Sequence, residues 1–211
     1  MDKLRAAIGQ PIVLDASTLL VGITKQSSDP NYSFSNMCEV YINALFNTFQ
    51  NILIHETVWG ELDDLRREYI ESQFIGKNVK LVGEGNLYGR DPSYTETFNR
   101  IAAFDLFKYK RGESLNKGDV YSLAYATHNN IPFLSTRDGS IVKAIEELDC
   151  LKNIDVVGFE YILLLGYASS NDGQPSKRFS SLYKSQCAPA IKAGLIPPTF
   201  LGFVQSIKAK G

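Results

Sequence analysis

Short apolar runs alternate with longer stretches of helical periodicity along this chain of 211 residues, and this alternation constrains the fold most strongly. The strand-like runs are 12–14, 51–54, 79–82, 132–135 and 154–157. The helical stretches are 36–50, 57–74, 94–110, 116–129 and 140–148. Strands that alternate with helices pair in parallel, and right-handed crossovers then cover both faces of the sheet. We therefore expect a three-layer α/β fold with a central, mainly parallel sheet flanked by helices.

The composition favours an ordinary globular protein of the cytoplasm. Hydrophobic residues make up 44% and charged residues 21% of the chain, and the net charge of −1 gives no overall attraction to nucleic acid. The three cysteines, Cys38, Cys150 and Cys187, are odd in number and widely spaced, which favours reduced thiols. The first ten residues lack a signal-peptide core, and the apolar stretch 161–168 is too short to span a bilayer. We expect no membrane partner.

Four acidic residues stand where predicted elements end or begin. Asp15 and Asp138 follow strand-like runs, whereas Glu61 and Asp119 lie near the starts of helical stretches. The carboxyl ends of neighbouring parallel strands open into one crevice, so we expect these side chains to gather there. Carboxylates so close together repel one another unless a divalent cation neutralises them, and oxygen ligands suit Mg²⁺ or Mn²⁺. The pattern favours a metal-dependent phosphodiester hydrolase.

Three of these acids also have a structural interpretation that the sequence leaves open. Asp15 and Asp138 are suited to cap the helices that follow them. Asp119 is three residues after the potential N-cap Asn116, where a carboxylate interacts favourably with the helix dipole. The two histidines, His55 and His128, fit helix ends better than catalysis.

Glu61 is the most informative acid by its spacing. It falls within an apolar stripe at helical spacing, formed by Val58, Leu62, Leu65 and Tyr69. A buried carboxylate needs a partner, a proton or a metal ion. The alternative is that Glu61 lies at the edge of the stripe or pairs with Arg111 or Arg137.

Candidate substrate contacts are basic side chains near the acids. The segment 108–111 carries positive charge around one aromatic ring that could stack on a base, and its basic residues are Lys108, Lys110 and Arg111. The alternative, which the sequence favours, is a solvated helix end, where cations complement exposed carbonyl groups. Arg137 is a candidate phosphate contact, with a salt bridge to Glu61 or another acid as the alternative.

Four segments, in this order, resemble the PIN-domain nucleases, the family that includes the VapC-type toxins of bacterial toxin–antitoxin pairs. They are 12–17 (IVLDAS), 58–62 (VWGEL), 118–124 (GDVYSLA) and 134–138 (LSTRD). The resemblance covers roughly residues 10–160. It implies a PIN-like domain over residues 1–168. The segment 76–115 is longer than its counterpart in compact toxins, and the tail 169–211 has no counterpart; we expect this extension to pack on the same domain.

The resemblance also implies an activity. It makes Asp15, Glu61, Asp119 and Asp138 the catalytic, metal-binding residues of a Mg²⁺- or Mn²⁺-dependent endoribonuclease, with Asp15 and Asp119 as the principal metal ligands. Ser17 and Thr136 would orient the ligands or bound water. The expected partners are an RNA substrate, an antitoxin protein if the chain is a toxin, and a second copy of the chain in a homodimer. The alternative is a non-catalytic PIN-like module that binds protein or RNA.

Overall fold

The structure is a computed structural model that describes residues 2–20, 34–74, 79–108, 117–170 and 177–209. Within these residues, five strands form one sheet that is parallel throughout. The strands are β1 (Pro11–Leu14), β2 (Asn51–His55), β3 (Val79–Val82), β4 (Phe133–Ser135) and β5 (Asp155–Val157). Helices flank the sheet, which confirms the predicted three-layer α/β fold.

The helices account for most of the remaining described chain. Those before β4 are α1 (Asp2–Ile8), α2 (Ala16–Leu19), α3 (Phe34–Met37), α4 (Asn43–Thr48), α5 (Glu56–Glu61), α6 (Asp64–Phe74), α7 (Pro92–Ala102) and α8 (Lys117–His128). Those after β4 are α9 (Gly139–Glu147), α10 (Phe159–Ser169), α11 (Lys177–Gln186), α12 (Ala188–Lys192) and α13 (Phe200–Lys208). In the part of the chain that the structure describes, no helix combines the length and the apolarity that crossing a membrane requires.

The strand order, β3-β2-β1-β4-β5, places β1 at the centre of the sheet. The chain extends from β1 to one edge and then returns to build the other half, so the order reverses between β1 and β4. Crevices form at such reversals, beyond the carboxyl ends of the strands. Asp15 and Asp138 follow these two strands, so the topology directs both to that crevice.

The central strand is buried on both faces, as its uninterrupted apolar sequence requires. Ile12 and Leu14 pack into a core shared with α4, α10 and the C-terminal helices. Val13 points to the opposite core, which also contains Leu134 and apolar residues of α7, α8 and α9. Successive side chains of a strand face opposite layers, and this places one core on each side of the sheet.

The single helix predicted over residues 57–74 is wrong, because the chain forms two helices there. Leu62 is extended (ψ 145°) and ends α5. The Asp63 carboxylate then accepts a hydrogen bond from the Arg66 backbone N–H at 2.9 Å, which caps the start of α6. The predicted apolar stripe is also wrong beyond this break, since Leu65 is 60% exposed.

The region predicted as a helix over residues 36–50 contains a π-helical turn, Cys38–Ile42, between α3 and α4. Gly166 of α10 lies directly against the Val40 carbonyl in this turn, where an added Cβ would overlap the backbone. Glycine is therefore required for α10 to pack this closely on its neighbour.

The C-terminal helices pack on the same core as the sheet. The buried apolar side chains of α11 and α13 in this core are Phe179, Leu182, Tyr183, Phe200, Phe203, Val204 and Ile207. The rings of Phe179 and Phe200 stack with their centroids 5.7 Å apart. Burial of seven such side chains joins the extension to the α/β layers.

Candidate functional site

Asp15 is a buried carboxylate held by hydroxyl groups. It directly follows β1 and caps α2, and it is only 2% exposed. Its Oδ2 accepts hydrogen bonds from the Ser17 hydroxyl at 2.5 Å and from the Thr136 hydroxyl at 2.9 Å. Burial raises the pKa of Asp15, and the hydrogen bonds from Ser17 and Thr136 oppose that rise. The two hydroxyls therefore fix the carboxylate and stabilise its charge.

Ser17 and Thr136 also join the chain segments that follow β1 and β4. The Arg137 backbone N–H donates to Ser17 Oγ at 2.8 Å, and the Asp138 backbone N–H donates to Thr136 Oγ1 at 2.9 Å. Asp138 itself caps α9, because its Oδ1 accepts from the Ser140 N–H at 2.6 Å. The prediction that Asp15 and Asp138 cap helices is therefore confirmed. Both carboxyl groups nevertheless lie near Asp119, the third acid.

Asp119 lies in the first turn of α8. It is close enough to the other three acids for their charges to act on its carboxyl group. Its pKa is raised to about 8, first by burial and then by the neighbouring carboxylates of Asp15, Asp138 and Glu61. A side-chain hydrogen bond with Asp15 adds to the rise. In the absence of a cation, Asp119 holds a proton that reduces the repulsion among these groups.

Glu61 completes the cluster from the last turn of α5. The residue lies at the exposed rim, and its carboxylate lies against Gly118, where an added Cβ would overlap Oε1. Partial burial raises the pKa of Glu61, and the charge of Asp15 raises it further. Glycine before Asp119 thus leaves room for Glu61 to approach α8.

The donor chemistry of the cluster fits a hard divalent cation, because all four side chains offer carboxylate oxygens. In the residues described, however, no group of three or more His, Cys, Asp or Glu side chains is arranged to hold a metal ion. Two of the carboxylates, those of Asp15 and Asp138, are engaged in capping. Metal binding therefore stays a prediction, and it requires the side chains to reorient.

The predicted substrate contacts that the structure describes, Lys108 and Arg137, form no ion pair with the four acids. Lys108 is exposed and pairs with Asp105 at 2.6 Å, and Lys110 and Arg111 are not among the described residues. Arg137 forms no salt bridge with Glu61 or another described acid. Its Nη1 donates instead to Gln186 Oε1 in α11.

A second polar cluster lies at the ends of β2 and β3. His55 is fully buried and caps α5, since its Nδ1 accepts from the Thr57 N–H at 3.2 Å. Its Nε2 is 3.6 Å from Glu84 Oε2, and its ring stacks on Tyr121 with centroids 5.5 Å apart. Tyr94 donates to the same Glu84 oxygen at 3.3 Å. Burial lowers the pKa of His55 to about 4, so the ring is neutral near pH 7.

The sequence did not predict Glu84, Glu160 and Gln186, which lie beside these clusters. Glu84 follows β3 and Glu160 follows β5, as Asp15 and Asp138 follow their own strands, so the same signal could have found both acids. Gln186 gives no such signal, because it reaches Arg137 from 49 residues further along the chain.

Fold and site together define the class: a three-layer α/β protein with a cluster of four acids beyond the carboxyl edge of its parallel sheet. No protein-family model matches the chain, and no curated protein matches it.

Proposed function

We propose that this chain is a divalent-metal-dependent ribonuclease that hydrolyses RNA phosphodiester bonds. The observation that supports this most strongly is the environment of Asp119: burial, followed by the charges of Asp15, Asp138 and Glu61, raises its pKa to about 8. Four mutually repelling carboxylates destabilise a fold unless they serve a ligand. Their place beyond the strand ends, at the reversal of strand order, is where α/β proteins bind ligands.

Within this proposal each residue has a defined role. Asp15 and Asp119 are the principal metal ligands, and Glu61 and Asp138 assist through water or a second ion. When bound, Mg²⁺ or Mn²⁺ supplies an activated water and stabilises the leaving oxygen. The hydroxyls of Ser17 and Thr136 keep the Asp15 carboxylate oriented toward the crevice. Metal-activated water makes a histidine base unnecessary, which is consistent with the structural role of His55.

The test is cleavage of a fluorescently labelled single-stranded RNA with Mn²⁺, and again with excess EDTA. We expect cleavage by the wild type with Mn²⁺ only, and its loss in Asp15→Asn. Asp149→Asn is the matched control, because Asp149 is exposed, pairs with Lys152 and precedes β5, whereas the acids of the cluster lie beyond the carboxyl ends of the strands. Equal cleavage by the wild type and Asp15→Asn contradicts the proposal.

A toxin role is the more specific form of this proposal, and it rests on the resemblance to VapC-type toxins. An antitoxin protein would then bind beside the acidic crevice and block RNA. Growth arrest on expression, relieved by Asp119→Asn, supports this role. Arrest that persists in the variant contradicts nuclease toxicity.

A second candidate function is a non-catalytic module that binds RNA or protein. The specific observation in its favour is that the described acids form no ready group of three metal ligands. RNA binding without cleavage, together with a melting temperature that Mn²⁺ does not change, supports the module. A melting temperature that Mn²⁺ raises in the wild type but not in Asp119→Asn supports the enzyme.

A further inference from the structure

A cavity of about 310 Å³ opens beyond the carboxyl ends of β4 and β5, next to the acidic cluster. Its polar lining comes from Thr136, Arg137, Glu160 and Gln186, and Phe159 contributes an aromatic ring. The C-terminal extension supplies one wall through the end of α11 and the start of α12. The volume lies at the lower end of the range for small-molecule sites.

Arg137 connects the cavity to the cluster. Its backbone N–H donates to Ser17 Oγ, whereas its side chain donates to Gln186 and lies 5.9 Å from the centre of the Phe159 ring. Its Nε is buried and has no hydrogen-bond partner. Among the described residues the guanidinium has no carboxylate partner. A half-buried cation without a carboxylate partner is costly, and Arg137 borders the cavity, so a ligand bound there can supply the missing acceptors.

Glu160 brings an acceptor to the same cavity. Its carboxylate folds over Gly158, where an added Cβ would overlap it. Burial raises the pKa of Glu160, and a hydrogen bond from its own backbone N–H lowers it by less than burial raises it. Glu160 and Arg137 form no ion pair, so the cavity contains a donor and an acceptor that do not satisfy each other.

We infer that this cavity binds one unpaired guanine base of the RNA, with Arg137 donating to O6 and N7 and Glu160 accepting from N1–H and the N2 amino group. Arginine is the usual partner of these guanine acceptors. Adenine carries an amino donor where guanine has O6, so it would face Arg137 with the wrong group. Proteins commonly read single-stranded RNA by capturing bases turned out of the stack. This inference rests on the proposed function, because it takes RNA as the substrate.

The position of the cavity links base recognition to cleavage. Thr136 lines the cavity and also donates to Asp15, so the two sites share a wall. The cavity follows β4 and β5 and the acids Asp15 and Asp138 follow β1 and β4, so the two sites are neighbours along one edge of the sheet. A guanine bound there would place a neighbouring phosphodiester at the cluster. Gln186 acts as a positioning residue, since it holds the Arg137 side chain over Phe159.

The binding test uses the full chain in EDTA, so that it does not depend on cleavage. NMR titrations compare GMP, AMP, CMP, UMP and inorganic phosphate. We expect GMP to bind at least about tenfold more tightly than the other nucleotides, and phosphate to bind more weakly than GMP. Equal affinity for all four nucleotides, phosphate binding as tight as GMP, or no binding overturns the inference.

Two variants assign the binding to the cavity. Arg137→Lys keeps the charge but loses the planar pair of donors, so the preference for GMP should fall by about tenfold. Arg178→Lys is the matched control, because Arg178 is an exposed residue of α11 that pairs with Glu39. Glu160→Gln removes the charged acceptor and should also weaken GMP binding. A folded Arg137→Lys or Glu160→Gln protein that keeps the wild-type preference overturns the inference.

The inference and the proposed function fail in different ways. If the chain binds GMP selectively but does not cleave RNA, the proposed nuclease function is contradicted and the inferred guanine site is supported. Metal-dependent cleavage by a chain that binds all nucleotides equally contradicts the guanine site alone.

Discussion

The two polar clusters beyond the carboxyl edge of the sheet differ in how they accommodate buried ionisable groups. The cluster after β1 and β4 gathers groups of one sign, and burial together with these like charges raises the pKa of Asp119 to about 8. The cluster after β2 and β3 mixes types: His55 is neutral and stacked on Tyr121, and Glu84 accepts from Tyr94. The mixed cluster combines neutral rings and hydroxyl donors with a single acid near His55, whereas the acidic cluster brings together four carboxyl groups.

The largest difference should appear in catalysis. On the proposed mechanism Asp119 is a metal ligand, so Asp119→Asn should lower Mn²⁺-dependent RNA cleavage by more than about 100-fold, a larger loss than removing an outer hydrogen bond causes. Tyr94→Phe, which alters only the mixed cluster, should leave the rate within about threefold of the wild type. Initial rates at saturating RNA measure both. A larger loss in Tyr94→Phe than in Asp119→Asn would reverse the assignment of the two clusters.

The mixed cluster should control stability in acid. Burial lowers the pKa of His55 to about 4 from its ordinary 6.5. The unfolded chain therefore takes up this proton first as the pH falls. His55 contributes its full stability above pH 6.5, and up to about 3 kcal/mol is lost by pH 4.

Urea unfolding at pH 7.0, 5.5 and 4.5 measures this dependence. His55→Asn keeps a capping acceptor for α5 but cannot be protonated in this range, so it should flatten the decline. His128→Asn, which replaces the half-exposed histidine near Asp91, is the control and should not flatten it. An equally steep decline in His55→Asn contradicts the prediction.

The acidic cluster should control stability in alkali when no metal is present. The pKa of Asp119 is raised from 3.8 to about 8, so stability is lost as the pH rises through this range. Asp119→Asn removes that loss. Allowing for the solvent access of this half-buried side chain, we expect a gain of about 2 kcal/mol at pH 8, or roughly 4–8 °C in melting temperature.

The gain in stability of Asp119→Asn over the wild type should be smaller at pH 5. It should also decrease when Mn²⁺ stabilises the wild type. Melting curves in EDTA and in Mn²⁺, at both pH values, measure it. If Asp119→Asn is less stable than the wild type in EDTA at pH 8, the prediction is wrong. The contacts of the Asp119 carboxyl group then stabilise the fold more than its repulsion by the other acids destabilises it.

The smallest effect should come from the hydroxyl groups that orient Asp15. Ser17→Ala removes the 2.5 Å hydrogen bond and should lower Mn²⁺-dependent cleavage by about tenfold. Ser169→Ala is the control, because that hydroxyl only bonds to the Leu165 carbonyl within α10. Cleavage unchanged in Ser17→Ala would mean that Thr136 alone orients the carboxylate.

Local signals in the sequence predicted most of the fold. The apolar runs that form β1, β2, β4 and β5 are short and flanked by polar residues or proline, and their alternation with helices specified a parallel sheet. The break between α5 and α6 was missed because Leu62 continues the helical spacing of the apolar residues. The competing interaction, capping by Asp63, depends on a side-chain hydrogen bond that periodicity does not report.

The site was predictable only in part, for a related reason. Asp15 and Asp138 could be placed because each follows a strand, and strand ends meet at one edge of a parallel sheet. The partner of Arg137 could not be predicted, since Gln186 belongs to a polar stretch without a distinctive pattern. Contacts between distant segments depend on how the helices pack, and a single sequence does not specify them.

The described strands all run in the same direction, so the turns that enter β4 and β5 lie at the edge of the sheet opposite the acids. The exposed turns at Asn129–Asn130 and Lys152–Asn153, before β4 and β5, belong to this side. They are suitable positions for inserting a fluorescent reporter or an affinity peptide, since exposed turns tolerate added chain. Such labelled proteins would leave the crevice unobstructed while being followed in a living cell.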